Sequence, residues 1–514
     1  MICVSLAKFT HRGVQMKRLF VLAVLLLGVL SFYGCGSGGG GGGGDSLPVP
    51  SVGDSSGGGA GGSTSGGGST PGGGSTSGGG STLGGQVGTL ADIGDFWNVL
   101  GFGNNYYFTS TVGINAKNEV IGYTLGAHSA FVRDPVAGVM TLIPSDHAVR
   151  SYSDYYQLKD SSSDDIFETT AILEINDQSR VIGNSFAYGA SNNTRGYVYD
   201  YANDLFIDLA PINFLDNAGK RKFKEYTNVA DINSAGWVLL TADNDLGEKR
   251  CYLWDGSSTI PVNDLQRDNG DPVPSFDVPD YLYGGSIEGE ESVAAALNEN
   301  IVNGRPQYAC NSKGTAFVFD GWDGTSINTF NSSPLVAVAM NNALPVGHVV
   351  GNHGNEGFFW DGGETYPISN PNGASVEVID LNNNDQVIGN SDGQAFIWHL
   401  DPATKQGVFQ SLGSLGGGSS TAVAINDNGI VIGYSTTGEV YSEGNVSQAI
   451  AHAFAWRNGT IYDLGTHVPT YTYPFNPNFP FSEAVAINEA NSIVGNSFTI
   501  NAHHRGFFLT PVFP

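Results

Sequence analysis

The chain is 514 residues long, with 22 Lys and Arg against 49 Asp and Glu, a formal charge of −27, and only 14% charged residues. So acidic a surface is ill-suited to nucleic acid or to anionic lipid headgroups, both of which need a positive face. Length alone suggests several domains, an expectation that internal repetition overrides.

The N-terminus reads as a targeting signal. Met16-Lys17-Arg18 is followed by a 12-residue apolar run, Leu19 to Leu30, and then by Ser-Phe-Tyr-Gly-Cys ending at Cys35. A basic start with a short apolar core marks export, and the run is too short for a bilayer, which needs about 20 residues. Residues 1–34 are therefore expected to be a signal peptide; 1–15 precede the better start at Met16 and carry no functional reading. Gly34-Cys35 resembles the junction of bacterial lipoproteins, which implies acylation of Cys35 and an outer-membrane or cell-surface location. Phe32 and Tyr33 depart from the residues preferred there, and simple secretion is the alternative. Cleavage removes four cations and no acid, lowering the formal charge to −31. Cys251 and Cys310 remain, and two free buried thiols are expected rather than a disulfide.

Residues 35–86 form the second region, half glycine between 36 and 85 and largely Gly-Gly-Gly-Ser-Thr. Such a segment buries too little apolar surface to offset its ordering entropy, so a disordered tether is expected, with a reach of about 40 Å. Gly53-Asp54-Ser55-Ser56-Gly57-Gly58 imitates a serine-protease signature but has no core around it.

From Val87 to the end at 514 the sequence is strand-rich and repetitive. Each repeat divides into four strands, a to d. Strand a ends in an apolar residue and Asn, at Asn115, Asn176, Asn233, Asn298, Asn341, Asn382, Asn426 and Asn488, and a turn rich in Asn, Asp and Gly follows. Strand b is a Val-Ile-Gly phrase, as at 431–435, degenerate at 238–242 and 302–306. Strand c is small-aromatic-apolar-aromatic, as in Ala395-Phe396-Ile397-Trp398, and strand d a hydroxyl/Asp-Leu-Gly phrase such as Asp463-Leu464-Gly465. The last repeat lacks strand d, and Gly88 to Gly94 supplies it from the other end. The expected fold is all-β: a closed β-propeller of about eight four-stranded blades, with an N-terminal strand completing the last blade. Seven blades is the alternative, with repeat three or four as a distorted insertion.

These phrases resemble the HAF-type bacterial extracellular repeats, whose His-Ala-Phe stands literally at His452-Ala453-Phe454. The resemblance covers about 87–510, is weak in repeats three and four, and implies an exported repeat protein without established catalytic residues.

Functional expectations come from the insertions. Long additions at 144–170, 266–291 and 466–482 are d–a connections; those at 186–194, 243–249 and 436–451 are b–c connections. In an up-and-down blade both kinds emerge on one face, which suggests a binding face. Their aromatics, Tyr152, Tyr155 and Tyr156, then Tyr281 and Tyr283, then Tyr471, Tyr473 and Phe475, suit recognition of a glycan or protein ligand; packing as lids over the blades is the competing expectation. An exported, lipid-anchored binding protein is the leading functional reading, with a monomer expected and no nucleic-acid partner. A carbohydrate-active hydrolase or lyase using the same face, and a structural surface protein, are the alternatives.

Catalytic and metal motifs are weak. Gly389-Asn390-Ser391-Asp392-Gly393 matches a nucleophile elbow, but Ser391 is the end of strand b, equivalent to Ser185, Ser435 and Ser497. Asp243-Asn244-Asp245 and Asp268-Asn269-Gly270-Asp271 each resemble part of a calcium loop, but neither supplies six to eight oxygens alone, so acidic turns and no cofactor are expected, with calcium the alternative. His503-His504 lacks a third ligand at zinc spacing.

Overall fold

In the computed structural model, residues 82–514 are described except 86, 94–108, 125–128, 144–168, 187–193, 210–226, 244–248, 256–290, 303, 321–322, 329–332, 444–445, 467–479 and 500–503. Eight sheets follow one another in a ring, a β-propeller of eight blades. Blade one, Thr109–Ile114, Val120–Thr124, Ser129–Arg133 and Met140–Leu142, is a four-stranded antiparallel meander, and blades two, four, five and six repeat it. Blade three has three strands among the described residues, Thr227–Ile232, Val238–Asp243 and Lys249–Trp254. In blade eight the fourth strand is Ala91–Asp92, paired antiparallel with His504–Leu509 through Ala91↔Phe508 and Asp92↔Phe507. The chain's beginning thus completes its end, as the sequence predicts, and the last blade gains its fourth strand from a segment that precedes blade one.

The recurring Asn explains why eight blades close. Its Nδ2 donates to the backbone carbonyl of the equivalent Asn in the next blade: Asn115 to Asn176 at 3.0 Å, Asn176 to Asn233 at 2.9 Å, and so on to Asn426 to Asn488 at 3.0 Å. Asn488 donates back to Asn115 at 2.8 Å and closes the circle. Its Oδ1 meanwhile accepts the N–H two or four residues on, as from Gln178 and Arg180 onto Asn176. The left-handed turn residue is the third after it, as at Asn118, Ser179, Gly236, Asp385, Gly429 and Asn491. Asn is thus required for its amide rather than for a positive φ.

The strand-b Gly is required sterically. Every strand a carries a register shift just before its end, as between Val378 and Asp380. That brings a strand-a carbonyl against strand b, so a Cβ at Gly389 would overlap the Glu377 oxygen and lie 2.6 Å from the Phe396 ring. The Asn after this Gly reaches the next blade: Asn352 Oδ1 accepts Val378 N–H at 2.8 Å, and Asn184 Oδ1 accepts Val229 N–H at 2.9 Å. Apolar side chains fill the seams between blades. One cluster joins blades four and five around Val318, Leu335 and Phe358, and another joins six and seven around Ile388, Leu412 and Phe454.

Two expectations are corrected in the degenerate repeats. Strand b of blade four is Arg305–Ser312 rather than 302–306, because strand a runs on to Val302 before the turn. Cys251 and Cys310 are not free thiols but a disulfide joining strand c of blade three to strand b of blade four. Cys310 pairs with Ala294 and Phe317, the register that Gly351 occupies in blade five between Ala337 and Phe358. The half-cystine takes the glycine position where the Val-Ile-Gly phrase is lost.

Candidate functional site

Strand order fixes which loops share a face. Strands a and c start, and strands b and d end, at the face where the insertions leave; the short a–b and c–d turns lie at the other. Tyr152, Tyr155, Tyr156, Tyr281, Tyr283, Tyr471, Tyr473 and Phe475 lie outside the described residues, as do Cys35, His503, Asp245 and residues 268–271. Their roots are described. Residues 144–168 connect blades one and two, 256–290 lead from blade three into blade four, and 467–479 connect blades seven and eight; each ends at the start of a strand a.

The insertion at 436–451 is a β-hairpin arm. Strand b of blade seven extends over Val431–Glu443 and strand c over Val446–Arg457, paired out to Glu443↔Val446. The part beyond Ser435 is about 25 Å long at the usual rise per residue. Its base is gripped by the glycine-rich connection from blade six: Gly417 N–H donates to the Thr436 carbonyl at 2.9 Å, and Leu415 N–H to Ser435 Oγ at 2.9 Å. Gly416 has φ +114 and passes so close to Thr437 that a Cβ would meet its carbonyl oxygen at 2.9 Å. Farther out Val440 is 57% exposed, and Ala449 opposite it is also exposed, so the arm offers an uncovered apolar pair.

The innermost strands carry Glu174, Asp231, Glu299, Glu377, Asp380 and Glu483, and none of the eight contains Lys, Arg or His. A strand bonded to strand b on one edge, with a neighbouring blade on either face, is open to solvent only toward the central channel. Glu377, exposed, and Glu483, half-buried, hold the same position on strands a of blades six and eight. Desolvation pushes the Glu483 carboxyl up to about 7, partly offset by the Asn496 amide at 3.2 Å. Asp231 and Asp380 instead accept backbone N–H groups of the next blade, from Leu297 at 2.8 Å and Ile425 at 3.4 Å.

The motifs that imitate catalysis are scaffold. Ser391 Oγ donates to the Ser375 carbonyl at 2.8 Å and accepts from Asn370, and Ser435 Oγ donates to the Ser419 carbonyl at 2.8 Å. His452, cross-strand from Ser435, places Nδ1 2.9 Å from Asp463. The equivalent c–d pair in blade six is Gln394 with Ser411, and in blade five Glu356 bonds Ser369 two residues farther along strand d, so a bond from this position to strand d is a recurring feature of the scaffold rather than a charge relay. Among the described residues no group of three His, Cys, Asp or Glu side chains could hold a metal ion.

No family model and no curated protein matches the chain. Solved structures do. A streptogramin B lyase is 8% identical over 82% of this chain and 98% of its own, with a TM-score of 0.32. The β-propeller domain of the trilobed protease from Pyrococcus furiosus is 10% identical over 71% and 100%, with a TM-score of 0.36. A chain of the mitotic checkpoint complex is 11% identical over 87% and 97%, with a TM-score of 0.33.

Proposed function

We propose that this chain is a displayed binding head: an exported HAF-type repeat propeller, lipid-anchored through Cys35, held off the membrane by its glycine-rich tether, and binding a neutral, hydroxyl-rich glycan at the insertion face. The direction of the tether carries the reading. Thr82 N–H donates to the Gly459 carbonyl at 2.9 Å, and Gly459 lies in a c–d turn, so the tether arrives at the short-turn face. The arm and the roots of the aromatic insertions lie at the opposite face, away from the anchor. Tyrosine and phenylalanine rings stack on sugar faces, and carboxylates accept hydroxyl hydrogen bonds. An inner wall without cations disfavours anionic ligands.

Alanine at Tyr155, Tyr471 and Tyr473 together is expected to abolish retention on an array of neutral glycans and to leave the melting temperature within a degree or two of the parent. Unchanged retention refutes the reading, and a large loss of stability shows that these rings serve as lids. Turnover in a hydrolase and lyase screen, lost in the same variant, establishes an enzyme instead.

A further inference from the structure

The segment Thr82–Gly84 forms a fifth strand on blade seven, parallel to strand d, with Thr82↔Thr460, Leu83↔Ile461 and Gly84↔Tyr462 in register. It is the single parallel ladder among the described residues. Strand d of blade seven, Thr460–Gly465, has six residues; the other described d strands have two to five. Short edge strands discourage pairing, so blade seven offers the longest outer edge among the described residues.

This edge reads the side chain of its occupant at one position and is indifferent to the residue before it. At Gly84 a Cβ would overlap the Tyr462 ring and lie 2.9 Å from Thr460 Cγ2, so glycine is required. The Tyr462 ring is held edge-on by Phe513, with centroids 5.2 Å apart, and the Arg457 guanidinium lies 5.4 Å above Phe513. Thr82 bonds the edge through its N–H. Alternate residues of a parallel edge strand turn toward the partner, so the N–H of Leu83 faces outward. The Leu83 side chain is 64% exposed, and any residue fits there, proline included.

The sequence before this strand holds the same tripeptide three more times at a spacing of six: Thr64-Ser65-Gly66, Thr70-Pro71-Gly72 and Thr76-Ser77-Gly78. Those copies lie outside the described residues. We propose that the outer edge of blade seven is a docking site for extended segments with glycine at the Gly84 position, and that its occupants are the four Thr-X-Gly tether copies, interchangeable in register. Choosing an upstream copy loops out the glycines between it and Val87, which costs only loop-closure entropy, and shortens the free tether by six residues per step, about 20 Å when extended.

Hydrogen exchange on the full chain tests this. In the parent, the amides of Ile461 and Asp463, which alternation directs at the docked strand, are expected to exchange at least about tenfold more slowly than in an undocked edge. Gly84→Val alone should keep that protection, because an upstream copy takes the edge. Valine at Gly66, Gly72, Gly78 and Gly84 together should remove it, and a free Ser-Thr-Ser-Gly-Gly peptide at millimolar concentration should restore it while Ser-Thr-Ser-Val-Gly does not. The circular dichroism melting curve of each variant verifies that the ring remains closed. If Gly84→Val exposes the edge as fully as the fourfold variant, the copies are not interchangeable. If the fourfold variant stays protected, or both peptides act alike, the edge does not read glycine. Either outcome overturns the proposal.

Discussion

Replacing Asn382 by alanine measures what the ring of asparagines contributes. Asn382 is 4% exposed, donates to the Asn426 carbonyl at 2.9 Å and to Gln386 Oε1 at 2.8 Å, and accepts the N–H groups of Asn384 at 3.0 Å and Gln386 at 2.9 Å. Alanine leaves two carbonyl oxygens, of Asn426 and of the Gln386 side chain, and two N–H groups without these partners. A buried unsatisfied group costs about 1–3 kcal/mol, and the turn beyond Asn382 is exposed enough for water to recover part of it, so a net loss of about 2–4 kcal/mol is expected. Asn383 is the internal control. It is exposed, and its side chain donates to Asp427 and accepts the Asn342 N–H at 2.8 Å, both open to water, so Asn383→Ala should cost about 1 kcal/mol or less. Asn382→Asp keeps the acceptor but aims a carboxylate at the Asn426 carbonyl, and should be at least as damaging as alanine. Guanidinium unfolding followed by tryptophan fluorescence compares the midpoints at unchanged slope. Equal shifts for Asn382→Ala and Asn383→Ala would falsify the claim that the amide ring, rather than apolar seam packing alone, holds the blades in register.

Further outcomes follow from other positions. Gly389→Ala should prevent soluble folding, since its Cβ has no room beneath Glu377 and Phe396, while Gly393→Ala, with open space but φ +72, should cost only about 1 kcal/mol; equal soluble yields contradict this. Mass spectrometry after alkylation without reductant should find Cys251 and Cys310 unmodified. Cys251→Ala with Cys310→Ala should lose about 3–4 kcal/mol for a crosslink spanning 59 residues, and unchanged stability argues against it. The folded Glu483 carboxyl titrates at about 7, above its unfolded value near 4.5, so the folded state binds this proton more tightly. Its contribution is complete below about pH 4.5 and is lost as pH rises through 7. Glu483→Gln should flatten the midpoint's dependence on pH in that window, and an unaltered slope refutes it.

Much of the fold was legible because its signals are local. Alternation of apolar residues marks strands, and the Asn-rich turn marks where strand a gives way to strand b. The missing last strand, supplied by residues 88–94, told of closure before any contact was known. Repeats three and four misled because Leu240 and Cys310 stand where the other blades have glycine, which blurred the strand-b phrase and shifted its assignment in blade four. Ser391 could be dismissed as catalytic from the repeat alone, since Ser185, Ser435 and Ser497 stand at the same position of strand b, and His452 because its equivalents in other blades are unrelated side chains such as Gln394 and Glu356.

The sequence by itself determined the strands, their grouping into eight units and the closure of the ring, because those follow from periodicity within a few dozen residues. Only the tertiary structure decided what the repeated residues are for. The Asn amide and the strand-b Asn act on the next blade, at separations from 26 to 65 residues and of 373 and 385 where the ring closes, and no local pattern names those partners. The disulfide, the rooting of the arm in a glycine loop, and the parallel strand at Thr82–Gly84 are likewise meetings of distant segments. Adjacency around a ring depends on how blades stack, and stacking is settled by side chains that the chain brings together only when folded.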